Sequence, residues 1–228
     1  MLTAPRRAVL DALVALSADA GEAARVLKLG PSQLGEIERN RRLRSSPVLP
    51  AIERYSGVVY DAVGVASLDE DARGWLDRHV LIASALFGVL EPEDPIPAYR
   101  LSGSTVLPGL PLPRHWSGPI ARTLARNREW LLDARSSAYR ALGPVPPGSA
   151  VLHVEAEAAD GRRRALNHFN KHAKGALVRR LAQTGAEIPS RDALLEWGAE
   201  ARVRLEARGD HDVTLLVADT PAGAPAPD

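Results

Sequence analysis

Residues 167–175 read NHFNKHAKG and gather groups that hold anions or metals. Only three lysines, Lys28, Lys171 and Lys174, stand among the 29 basic residues of the chain, and two of them fall here. A lysine ammonium is a compact point charge. It fits a tight phosphate site and can lose its proton when buried, whereas a guanidinium is a broad fork. Asn170, Lys171 and Lys174 lie near a predicted helix start, where free N–H groups and the helix dipole also favour negative charge. His168 and His172 are four apart and could chelate a metal from one helix face. No carboxylate lies between Asp160 and Glu187, however, and Lys171 would repel the cation, so an anion site is the better reading.

Three further groups could do chemistry. From Gly161 to Ala186 there is no acid, yet Arg162, Arg163, Arg164, Lys171, Lys174, Arg179 and Arg180 all occur. Either this block faces an anionic partner, or its acidic neighbours come from elsewhere in the fold. The four tyrosines fall in short clusters: Tyr55 and Tyr60 in RYSGVVY, Tyr99 in IPAYRLSG beside Arg100, and Tyr139 in DARSSAY. Their rings suit a ligand cleft or the edge of a core. In DARSSAY, Asp133 and Ser136 follow the apolar WLL. They could orient a ligand past a strand end, or cap the next helix.

The third group is RVLKLGPSQLGEIERNRRLR, which reads as helix, tight turn and helix with Arg25, Lys28, Arg39, Arg41, Arg42 and Arg44. Such a hairpin can hold a nucleic-acid phosphate on its amides while flanking bases add sequence-independent affinity. It is equally an ordinary helix pair.

The elements that must position these groups are predicted from periodicity and punctuation. Residues 5–17 are helical, and a helix break at Leu29–Ser32 puts Ser32 at the next N-cap. Residues 69–78 form a polar helix. HVLIASALFGVL is a buried strand turning at Ser84–Gly88, and LSGSTVL a strand or hairpin arm. HWSGPIARTLARN is a helix, and EWLLDARSSAYRAL a strand, a turn and a helix start. SAVLHVEAEA alternates as a strand and GRRRALNHF is its partner across Asp160-Gly161. NKHAKGALVRRLAQTG is a helix stopped by Gly185. RDALLEWGAE is a helix and HDVTLLVAD a last strand. This order gives an α/β (α+β) fold around a mixed sheet: one domain over residues 1–218, then a disordered tail at 219–228.

Composition narrows the class. At 228 residues, 45% hydrophobic and 25% charged, the chain can bury a real core. It has no cysteine, which removes disulfides, thiolate nucleophiles and cysteine-ligated metals. No apolar run approaches a membrane span, and the N-terminus is unlike a secretory signal, so a cytoplasmic protein with no membrane partner is expected. Net charge is +1, so any nucleic-acid contact must come from local charge.

The landmarks RYSGVVYDAV, LIASALFGVLEPEDPIPAYRLSG, HWSGPIARTL, LLDARSSAY and NHFNKHAKGALVRRL together resemble the YaaA family of bacterial peroxide-stress proteins, from about residue 20 to residue 217. The matching positions are Tyr55, Gly57, Tyr60, Gly88, Asp94, Tyr99, Arg100, Trp116, Ser136, Tyr139, Lys171, Lys174 and Gly175. The resemblance implies a mixed α/β domain with a positively charged cleft and an inserted helix-hairpin-helix, here residues 22–42. It also implies DNA binding and a part in limiting intracellular iron and oxidative DNA damage. The DNA- or anion-binding residues would be Lys171, Lys174, Arg100, Lys28, Arg39 and Arg42. Tyr55, Tyr60, Tyr99, Trp116, Asp133, Ser136, Tyr139, His168 and Asn170 would line the cleft, with no cofactor and no metal. One departure stands out. The family usually opens with an apolar strand and a loop ending in Gly-Lys or Ala-Lys, whereas this chain starts MLTAPRRAVLDAL. Either the start lies upstream of Met1, or this member lacks a strand and a loop lysine.

Two functions of different class stay open. One is a DNA-binding stress protein. The other is an enzyme on a small phosphorylated or nucleotide-like substrate, although no P-loop or G-x-S-x-G motif occurs.

Overall fold

A computed structural model describes residues 2–126, 129–158, 160, 162–165 and 169–218, with backbone alone for Ala165 and Phe169. The expected disordered tail, His168 and Gly161 of the expected turn lie outside the described residues. The chain divides into two compact units, each assembled from separate segments. The first holds residues 1–55, 73–128 and 135–146; the second holds 56–72, 129–134 and 147–228.

The first unit begins with α1 (Thr3–Ser17), which buries Val9, Leu13 and Leu16 at helical spacing. Its Arg6 donates to the carbonyls of Phe87 (2.9 Å) and Val89 (2.7 Å). Those carbonyls belong to the hairpin of β2 (Ile82–Ser84) and β3 (Gly88–Leu90). The sequence-predicted turn at Ser84–Gly88 closes this hairpin, with Ser84 opposite Gly88. Gly88 has φ +80°, and a Cβ there would lie 2.8 Å from the ring of Trp116. Trp116 comes from α7 (Leu112–Leu124), which buries Leu112, Trp116, Ile120 and Leu124.

The remaining helices of this unit support loops. α2 (Ala20–Leu27) starts at Asp19, whose carboxylate accepts the Glu22 N–H (3.0 Å), and ends at Lys28 in the left-handed conformation, φ 54°. A 3₁₀ turn at Pro31–Gln33 leads into α3 (Gly35–Arg41), which buries Ile37 and Asn40. Ser32 therefore sits inside that turn and not at the helix N-cap. β1 (Val48–Pro50) pairs antiparallel with β4 (Pro95–Pro97), and α4 (Ala51–Arg54) follows β1. α8 (Ser137–Arg140) and the part of α6 (Glu70–His79) from Arg73 onward complete the unit. The LSGSTVL stretch is not a strand: it forms turns and a single bridge between Leu107 and Leu110.

The second unit is built on a mixed sheet. Its axis is β6 (Ala150–Glu157), whose residues alternate between buried and half-buried as the sequence pattern requires. On one edge β6 pairs in parallel with β9 (Asp212–Ala218), which pairs antiparallel with β8 (Leu205–Arg208). The other edge of β6 takes β5 (Leu132–Asp133) in parallel at one end and β7 (Arg163–Ala165) antiparallel at the other. The helices of this unit are α5 (Val58–Val63), α9 (Phe169–Thr184) and α10 (Arg191–Glu200). α9 ends where expected, with Gly185 at φ +60°. The α/β class with a mixed sheet is thus the class the sequence implies. Among the described residues no helix is long and apolar enough to cross a membrane.

Candidate functional site

In the first unit the tyrosine clusters converge. The hydroxyls of Tyr55 and Tyr99 lie 2.7 Å apart, and that of Tyr99 lies 2.8 Å from Oγ of Ser84. Ser84 Oγ also accepts the backbone N–H of Phe87 (2.9 Å), which fixes one end of the chain of hydroxyls in the β2–β3 turn. The Tyr99 ring meets Tyr55 and Phe87 edge-on, with centroids 6.1 and 5.6 Å apart. Tyr139 packs its ring on Gly103, where a Cβ would lie 3.4 Å away. The Tyr139 hydroxyl bonds the Gly103 backbone and feels the charge of Arg100. Three tyrosines far apart in sequence, Ser84 and Arg100 therefore form one neighbourhood.

Burial is the largest influence on these hydroxyls. It pushes Tyr55 up to about 12, against the opposing hydrogen bonds of Ser84 and Tyr99. It raises Tyr99 well above the ordinary tyrosine range, with Tyr55 adding to the rise, and it raises Tyr139 as well. At neutral pH all three are therefore protonated donors, not bases. The consequence for stability has a definite sign. A folded-state value above the unfolded one contributes stability that is fully present below the ordinary value of 10.0 and is lost as pH rises toward about 12. Between pH 10 and 12 the wild-type denaturation temperature should fall more steeply than that of Tyr55→Phe. Parallel curves in a thermal scan against pH would contradict this.

Arg100 itself is exposed, and its side chain has no ion pair among the described residues. Its backbone is gripped by Asn40, a residue that sequence reasoning passed over. Asn40 is fully buried, donates its amide to the Arg100 carbonyl (3.0 Å) and accepts the Arg100 N–H (2.8 Å). The only signal in the sequence was an asparagine inside an arginine run. Lys28 is exposed and borders an open groove of about 370 Å³ lined also by Arg25, Val26, Ser104, Val106 and Pro108.

Other candidates fall outside this neighbourhood. Trp116 is 0% exposed and its indole N–H donates to the Ala85 carbonyl (2.9 Å), so it belongs to the core and presents no surface to a ligand. Ser136 is an exposed N-cap for α8 whose side chain makes no capping bond. Arg39 and Arg42 are exposed but paired, Arg39 with Glu36 (2.6 Å) and Arg42 with Glu38 (2.7 Å).

In the second unit, Asn170, Lys171 and Lys174 lie in the first two turns of α9, while Tyr60 lies on α5 and Asp133 is buried at the end of β5. Lys171 is exposed and Lys174 is 8% exposed. No acidic residue occupies the first turn of α9. Gly175 explains why α9 lies where it does: a Cβ there would meet the Val59 carbonyl oxygen at 2.2 Å and the Ala62 side chain at 2.7 Å. Arg179, one turn on, donates to the carbonyls of Val63 (2.8 Å) and Gly64 (3.1 Å) and so caps the C-terminus of α5. Part of the basic block is neutralised by the fold. Arg162 pairs with Asp160, and Arg163 pairs with Glu206 and Glu157. For Arg163 the acidic neighbours come from β6 and β8, whereas the partner of Arg162 is the adjacent Asp160.

Comparison with known proteins agrees with the landmarks. A family model described as "Peroxide stress protein YaaA" matches residues 1–200. The chain is 41% identical over 221 residues to a UPF0246 protein of Corynebacterium glutamicum, covering 95% of this chain and 87% of that protein. It is 40% identical over 231 residues to a UPF0246 protein of Streptomyces coelicolor, covering 95% and 86%. A UPF0246 protein of Lactobacillus delbrueckii is 31% identical over 160 residues, covering 68% and 65%. The order of landmarks, the mixed α/β fold and these matches converge: the chain belongs to the YaaA peroxide stress protein family.

Proposed function

We propose that this chain serves peroxide stress by binding DNA without sequence preference, with the start of α9 as its main phosphate contact. The observation that carries the reading is the placement of Lys171 and Lys174. The N-terminal end of a helix is its positive end, where acids stabilise and cations cost about 0.3–1 kcal/mol each at the surface. Here two of the three lysines sit at that end of a 16-residue helix with no acid in the first turn, and one of them is almost buried. An anion at this place would gain from the exposed Lys171 ammonium and from the positive end of the helix. Arg100 and Lys28 add exposed cations in the first unit. The α2–turn–α3 element, read as a helix-hairpin-helix, would be a second foothold. Lys28 is its better phosphate ligand, because Arg39 and Arg42 would have to leave their glutamates.

Lys171→Glu tests this at an exposed position where folding is safe. With Lys174→Gln added, affinity for duplex and bubbled DNA should fall about a hundredfold, since a reversed charge repels the phosphates it formerly met. Unchanged affinity for both DNA forms, measured by fluorescence anisotropy, would overturn the reading.

A second reading, an enzyme on a small phosphorylated or nucleotide-like substrate, draws support from the protonated hydroxyls of Tyr55, Tyr99 and Tyr139 near Arg100. These are donors suited to a phosphate or a base edge. A thermal-shift screen of nucleotides and sugar phosphates separates the two, because a specific small ligand raises the denaturation temperature and bulk salt dependence does not.

A further inference from the structure

The grip of Asn40 on Arg100 has no role in local folding, since the two residues are 60 positions apart. It satisfies both backbone groups of one residue in a stretch without regular structure: residues 98–102 belong to no helix or strand. A carboxamide is suited to the task. It presents one donor and one acceptor in a single plane, and a carboxylate or a hydroxyl of similar reach lacks that pairing. Because Asn40 is 0% exposed, any rearrangement that released Arg100 would leave a buried amide unsatisfied, which is unfavourable.

The neighbouring residue is held independently. The Tyr99 hydroxyl is tied to Tyr55 and Ser84, so side chain 99 and backbone 100 are fixed by separate elements. What remains free to meet a ligand is the Arg100 guanidinium, exposed and without an ion pair among the described residues. α3 looks different in this light. Its exposed arginines are engaged: Arg39 with Glu36, Arg41 with Glu38 and with the carbonyls of Ser17 and Ala18, Arg42 with Glu38. Its inward face carries Asn40.

We propose that Asn40 is a positioning residue for anion recognition, and that α3 serves the site chiefly by holding Arg100 in place and only secondarily through its own arginines. This rests on the reading of Arg100 as a DNA-phosphate ligand. A cation fixed before binding loses less conformational freedom on meeting a phosphate than one carried on a loose loop, so the clamp raises affinity without touching DNA.

The wild-type protein gives the first test. The Arg100 amide, although in a loop, should be protected from hydrogen exchange by NMR; exchange at the rate of an open loop would overturn the clamp with no variant needed. Asn40→Ala should remove that protection and weaken binding to a duplex oligonucleotide by about three- to tenfold. In an Arg100→Ala background the same substitution should leave affinity unchanged, because the effect runs through Arg100. Equal weakening by Asn40→Ala with and without Arg100 would overturn the positioning role and reduce Asn40 to a structural residue. If Arg100→Ala alone binds DNA as the wild type does, Arg100 is no phosphate ligand and the positioning role falls with it. The exchange measurement would still report on the clamp separately.

Discussion

Gly175→Ala should destabilise the protein by about 3 kcal/mol or more, at the upper end of what overpacking costs. The added methyl would lie 2.2 Å from the backbone oxygen of Val59 and 2.7 Å from the Ala62 side chain. A backbone oxygen has no rotamer to change, so relief requires α9 to move away from α5. That movement would also loosen the Arg179 cap on the carbonyls of Val63 and Gly64. Gly185→Ala is the matched comparison. Nothing lies within 4 Å of its Cβ position, so only the positive φ of +60° opposes it. It should cost about 1 kcal/mol. Urea denaturation of the two variants decides the point: comparable midpoints would mean that α9 does not depend on the close approach at Gly175.

Trp116→Ala should cost about 3–5 kcal/mol, the range for deleting a buried aromatic. The ring is 0% exposed, covers Gly88 where φ is +80°, and donates to the Ala85 carbonyl at 2.9 Å. Trp116→Phe keeps most of the volume but abandons the carbonyl, and should lose about 1–3 kcal/mol. Both variants act on the β2–β3 turn that carries Ser84, so the Tyr99 hydroxyl should lose its fixed partner as the turn loosens. Calorimetry against wild type measures the loss. A Trp116→Ala protein within 1 kcal/mol of wild type, on the order of an average substitution, would place this ring outside the core.

Local patterns were legible where one strand or helix settles its own burial. SAVLHVEAEA alternates in sequence and alternates in β6, with Leu152, Val154 and Ala156 buried. The apolar LIASALFGVL run is a hairpin because Ser84 and Gly88 punctuate it, and Gly185 stops α9 where a left-handed residue is required. What escaped the sequence depends on partners far along the chain. β8 reads LEAR and shows no alternating apolar signal, because it is a charged outer strand whose Arg208 meets Glu155 of β6. LSGSTVL carries strand-forming residues, yet Ser102 and Thr105 turn the chain through their own hydrogen bonds.

The candidate site was legible in part for the same reason. Tyr55, Tyr99 and Tyr139 are conspicuous in a chain with four tyrosines, and they do converge. Trp116 looked like a wall residue and is core, since burial of a ring is decided by what packs on it. The basic block at 162–164 left two readings open in the sequence, and for Arg163 the structure supplies acidic partners, Glu157 of β6 and Glu206 of β8. Asn40 gave no sign beyond its place in an arginine run, because its two partners are backbone atoms and backbone atoms have no sequence.

The salt dependence of DNA affinity tests the central claim most directly. Between 50 and 200 mM salt, the logarithm of the association constant should fall steeply and linearly with the logarithm of salt concentration. The slope should become shallower by about 1 in Lys171→Ala and again by about 1 in Arg100→Ala, one for each phosphate contact removed. A flat wild-type line, or a slope that neither substitution changes, would contradict a function built on phosphate contacts by these cations.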